Sequence, residues 1–134
     1  MATLGQYNPK DYTLEQIALL AATHLEEQGQ KSEVDYKTEK SSKSNEFFKL
    51  CVYNGIDGKT CGAGPFVQNY KPEMERTGFS DFTSGLLDEN KVNLINSIQH
   101  IHDVMEPDDW KSEFYMMFTE REFNPKLLDN LYNG

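Results

Sequence analysis

The chain has 134 residues, of which 22 are acidic and 13 basic, a formal net charge of −9 at pH 7, and 37% hydrophobic side chains. That length fits a single domain spanning residues 1–134, with a core large enough to fold without disulfides or metals. The longest apolar run, Ile17 to Ala22, falls far short of the roughly 20 residues a bilayer crossing needs. The opening Met-Ala-Thr-Leu-Gly-Gln lacks the basic start and apolar centre of a secretory signal, and Ala2 excludes N-myristoylation, so no membrane contact and a cytoplasmic location are expected.

Charge is unevenly spread. Residues 1–30 carry one basic and four acidic groups, residues 31–59 six and five, residues 60–87 two and three, and residues 88–134 four and ten, a net of −6 in the last segment. An acidic pole of this kind disfavours nonspecific contact with a nucleic-acid backbone, which needs Lys and Arg, and suits a basic partner.

Residues 1–12 are a polar lead expected on the surface. Thr13 with Gln16 forms a capping-box pattern, and Leu14, Ile17, Ala18, Ala21, Ala22 and Leu25 follow the helical period up to a stop at Gly29. Leu19 and Leu20 widen the apolar face enough for more than one neighbour, and His24 beside it reads as a hydrogen-bonded structural residue. Residues 30–45 are polar and without period, a flexible connection that includes Lys37, Lys40 and Lys43.

From Asn45 to Tyr70 the alternation changes to a period of two. Phe48, Leu50 and Val52 fall on one face and Phe47, Lys49, Cys51 and Tyr53 on the other, followed by Asn54-Gly55-Ile56-Asp57-Gly58, which is rich in residues that tolerate positive φ. The pattern predicts a β-hairpin. With a five-residue loop Cys51 lies opposite Cys61 and Gly62 and Gly64 admit close neighbours; with a two-residue Asp57-Gly58 turn Cys51 meets Gly64 instead. Two free thiols are the expectation in a reducing compartment.

Beyond the hairpin, Lys71 to Gly78 suggests one helical turn and Phe79 to Phe82 a loop. A helix from about Asp88 to Met105 places Leu94, Ile98, Ile101 and Met105 on its buried stripe. Pro107 starts a third, running to about Glu122 with Trp110, Phe114, Met117, Phe118 and Arg121 along one face, and Pro125 starts a last one that buries Leu127, Leu128 and Leu131. Short joints make these three a compact unit. The expected fold class is therefore α+β: a small antiparallel hairpin or sheet packed with an N-terminal helix and a C-terminal three-helix unit.

Residues that could carry chemistry are sparse. His100 and His102, two apart on a helix, point in different directions and read as surface ion pairs with Asp103 and Glu106. No spacing assembles a metal site around Cys51 and Cys61, and Gly62-Ala63-Gly64-Pro65 is no phosphate loop because no helix comes after it to receive the anion. Neither catalytic residues nor a cofactor or metal is expected. The function expected is that of a non-enzymatic regulator or inhibitor. It presents Asp103, Glu106, Asp108, Asp109, Glu113, Glu120 and Glu122 to a basic surface of a partner protein, including one that normally holds nucleic acid. In second place stands single-stranded nucleic-acid binding by the hairpin's aromatic and Lys face, Phe47, Lys49 and Tyr53 continued by Phe66 and Tyr70. In third stands a small enzyme with a Cys nucleophile beside a histidine.

Overall fold

The computed structural model describes residues 1–36, 48–75, 77–83 and 85–133. Five α-helices build its body: α1 (Leu14–Gln28), α2 (Phe79–Thr83), α3 (Glu89–Val104), α4 (Pro107–Glu120) and α5 (Lys126–Asn133). Helix α1 forms where the capping box demands it, with the Thr13 hydroxyl accepting from the Gln16 N–H, the Gln16 side chain accepting in return from the Thr13 N–H, and Gly29 closing the helix at φ 66°. Its buried side chains Ile17, Ala18, Ala21, Ala22 and Leu25 pack against α3, α4 and α5. The small alanines let three helices approach one.

The α+β expectation is overturned. The chain is mostly helical, and among the described residues from 48 to 70 there is no hairpin. The described strands are a short two-stranded ribbon in which β2 (Phe48–Cys51) pairs antiparallel with β1 (Glu33–Tyr36), a segment that precedes it, so Cys51 faces Glu33 and not Cys61. Part of the expected flexible connection at 30–45 is therefore strand β1, and Ser32 is fully buried. The remainder, with Lys37, Lys40 and Lys43, lies outside the described residues, as does Phe47.

The anticipated turn exists, with Asp57 and Gly58 at φ 58° and 75° and the Gly55 N–H bonded to the Lys59 carbonyl at 2.8 Å. No second strand comes after it. From Thr60 to Val67 every residue is buried, and the segment runs through the middle of the helical body. Gly62, Gly64 and Pro65 make it a poor ladder partner, since two lack side chains to pack and the third lacks an N–H. Side chains of the surrounding helices take up its backbone groups instead. Gln28 of α1 accepts from the Thr60 N–H at 2.9 Å and donates to the Thr60 carbonyl at 3.0 Å, and Gln99 of α3 accepts from the Ala63 N–H at 2.9 Å. A Cβ on Gly62 would stand 2.8 Å from the Ile98 carbonyl oxygen, so the close approach expected of this glycine is realised against α3 and not across a sheet.

Three further expectations change. The N-terminal lead is tied down: Ala2 and Pro9 are buried, and Gly5 and Tyr7 donate to the Gly64 and Pro65 carbonyls at 2.9 Å each. Phe79 to Thr83 is helical and Phe79 is buried, where a loop was expected. In the last helix only Leu128 is fully buried, with Leu127 and Leu131 half-buried. The turn at Pro72–Met74 forms as expected, and so does the stripe on α4, where Trp110, Phe114, Met117 and Phe118 join the core.

Candidate interaction surface

Helix α4 presents its acids because of where its apolar residues fall. Pro107 occupies the first turn, where a missing N–H costs nothing, and Asp108 and Asp109 beside it meet the positive end of the helix dipole. With Trp110, Phe114, Met117 and Phe118 turned inward, Asp108, Asp109, Met116 and Glu120 are exposed and Glu113 is half-buried. Glu113, Met116 and Glu120 share one flank of α4 and, with Arg121 after it and Ser97, His100 and Ile101 of α3, line a groove of about 250 Å³. Met116 is 55% exposed. It is an apolar side chain framed by carboxylates, off the buried stripe.

The seven acids expected to act together divide into two groups. Asp103 is half-buried and engaged by its own helix: its carboxylate accepts from Gln99 Nε2 at 2.9 and 3.0 Å and from His102 Nδ1 at 2.7 Å. Glu106 lies 3.5 Å from Lys31 Nζ, which also donates to the Asp103 carbonyl. Asp108, Asp109, Glu113, Glu120 and Glu122 have no cationic partner among the described residues. The one lysine of α4, Lys111, is turned away over the Tyr132 ring, 5.5 Å from its centroid. The carboxylates of α4 and its C-terminal turn thus form no ion pair among the described residues, although Arg121 lines the same groove as Glu113 and Glu120.

His102 corrects the idea of surface ion pairs. It is fully buried, stacked on Trp110 with ring centroids 5.7 Å apart, and its Nε2 accepts the Ser32 N–H at 2.8 Å. Its acidic partner is Asp103 and not Glu106, while His100 is exposed beside the groove. His24 fulfils its expected structural role, with Nδ1 accepting from the Ala2 N–H and Nε2 facing the Thr60 carbonyl.

The aromatic face is not brought together. Tyr53 and Phe66 are core residues, Tyr70 is half-buried, Lys49 lies in β2, and Phe47 is outside the described residues. Tyr53 donates through its hydroxyl to the Thr77 carbonyl at 2.6 Å, and burial pushes that phenol well above its ordinary range. The Tyr70 hydroxyl is pushed up to about 12 by desolvation and by its 2.6 Å bond to Glu75. Tyr53 and Phe66, held in this way, offer no open surface on which bases could stack.

Cys61 is a free thiol with no exposed surface, and burial pushes its pKa far up, with the Asp103 carboxylate acting in the same direction. A nucleophile needs the opposite on both counts: access and a stabilised thiolate. The buried histidines His24 and His102 have both ring nitrogens engaged elsewhere. Among the described residues no three His, Cys, Asp or Glu side chains come together as a metal site, and no helix is long and apolar enough to cross a membrane.

The Gln99–Asp103 contact carries a local signal, since residues four apart on a helix are neighbours, whereas the Lys31 that meets the exposed Glu106 lies far away in the chain and carries none. Met116 does carry one. It falls outside the period that its neighbours Phe114, Met117 and Phe118 keep. No protein-family model matches this chain, and no curated protein or solved structure matches it.

Proposed function

We propose that the chain is a non-enzymatic interaction module, a regulator or inhibitor that docks on a basic surface of a partner protein through the exposed flank of α4 and the α3–α4 groove. The observation that carries this reading is the set of α4 carboxylates, Asp108, Asp109, Glu113 and Glu120, that form no ion pair among the described residues, with the exposed Met116 beside them. Like charges held at fixed spacing on a rigid helix repel one another, and a cationic surface relieves that repulsion while Met116 supplies a dry contact at its centre. A partner surface of the kind that cradles a phosphate backbone has the matching charge.

Affinity capture on the immobilised chain, washed at low and at high salt beside a Glu113→Lys/Glu120→Lys variant, tests the reading. The expected partner is basic, is released at high salt, and binds the variant on the order of tenfold more weakly, because reversed rim charges repel what the native ones attract. The variant should not lose melting temperature, since neither carboxylate is ion-paired among the described residues and the reversals lower the repulsion. A partner held equally by both proteins at both salt concentrations would remove the electrostatic basis of the proposal.

A further inference from the structure

On another part of the molecule the charge pattern reverses. A cavity of about 430 Å³ opens between the 3-10 turn Pro9–Asp11, the loop from Phe66 to Met74, and α2 with the turn after it. Phe66 and Phe79, both buried, and the half-buried Phe82 make its floor; Leu86, 67% exposed, stands at its mouth. Two exposed lysines, Lys10 and Lys71, complete the lining, and none of its described lining residues is acidic in a chain where 22 of 134 residues are. The depression alongside shares Lys10 and Leu86 and adds Lys91, whose ammonium is fixed there by donating to the Pro9 carbonyl at 2.9 Å. The one carboxylate in that depression, Asp88, caps α3 through the Asn90 N–H and keeps its negative charge there, so the ammonium pair of the main cavity, Lys10 and Lys71, is the one without an acid in its lining. An aromatic floor, a volume within the range of small-molecule sites, and a rim of ammonium groups in an otherwise acidic protein define complementary ends of a ligand. One end is apolar and the other carries a single negative charge.

We propose that this cavity binds an amphipathic monocarboxylate of the fatty-acid type, its chain over Phe66, Phe79 and Phe82 and its carboxylate between Lys10 and Lys71. The site is separate from the α4 flank and does not depend on it. Amide chemical shifts of the full chain, followed by NMR during titration with octanoate, decanoate, decanol and acetate, test it. Saturable shifts are expected at Phe66, Asn69, Phe82 and Leu86, with affinity rising about fourfold for each added methylene. Decanol should bind several-fold more weakly than decanoate, and acetate should give no saturable shift. A Lys10→Glu/Lys71→Glu variant, altered only at exposed positions, should lose about tenfold for decanoate and nothing for decanol. The proposal fails if decanoate at millimolar concentration leaves these amides unmoved, if decanol binds as tightly, or if the double variant binds decanoate as the native chain does.

Discussion

His24 joins three segments through one ring. Its Nδ1 accepts from Ala2, its Nε2 donates to Thr60, and its own backbone belongs to α1, so the neutral imidazole satisfies all of them at once. A second proton would have to sit on Nδ1, facing an N–H that is already a donor. Burial lowers the pKa, and the nearby terminal ammonium and His102 lower it further, against the opposing pull of the Thr60 carbonyl and Glu27. The unfolded chain therefore takes up the proton first. Stability from this group is complete above the unfolded value of about 6.5 and is lost as pH falls through the lower folded value. The melting temperature should drop between pH 7.5 and pH 5, and a His24→Gln variant, which bonds but does not titrate, should show a shallower drop. Parallel curves would mean that His24 is not the group responsible.

At the scale of elements, α4 is divided between a face that holds the fold and a face that does not. Phe114 and Phe118 have no exposed surface, and Phe118 meets Phe123 edge-on at 5.4 Å. Phe118→Ala should cost about 3–5 kcal/mol in urea unfolding, while Met116→Ala should stay within about 0.5 kcal/mol of the native chain. Equal costs would contradict the division. Helices α1, α3 and α4 are legible in the sequence because their apolar residues repeat with the helical period and their caps are local: Thr13 with Gln16, Pro107 in a first turn, Gly29 at an end. The hairpin expected from Asn45 to Tyr70 fails for an equally physical reason. Alternation shows that a strand is present and leaves its partner open; here the N–H groups of Tyr53, Asn54 and Thr60, which a hairpin would have used, are taken by Glu75 and Gln28. Side chains 21 to 32 positions away outcompete the neighbouring strand.

Across the whole molecule the charges are poorly balanced. Two ion pairs join the described residues, Met1 with Glu27 and Lys31 with Glu106, against a net charge of −9. Self-repulsion should dominate, so raising NaCl from about 20 mM to 0.5 M should raise the melting temperature at pH 7; a fall would show that attractive pairs prevail. The acidic character of α4 can be read from composition, because helix position alone decides which carboxylates face outward. The lysine-rimmed cavity cannot, since Lys10, Phe66, Lys71 and Leu86 belong to segments that only the fold brings together.

The buried run from Thr60 to Val67 bears on how the chain can be made. Its cover comes from both sides in sequence: Gly5, Tyr7, His24 and Gln28 before it, Ile98 and Gln99 after it. On a ribosome the first half of that cover emerges early, but the Ala63 N–H does not meet Gln99, nor Gly62 the Ile98 backbone it packs against, until α3 has left the exit tunnel. Until then a glycine-rich apolar segment stays open to solvent. Closure of the body thus waits for translation to pass residue 99 by the length of the tunnel, so that α4, the next helix in the chain, is already made before the centre acquires its cover.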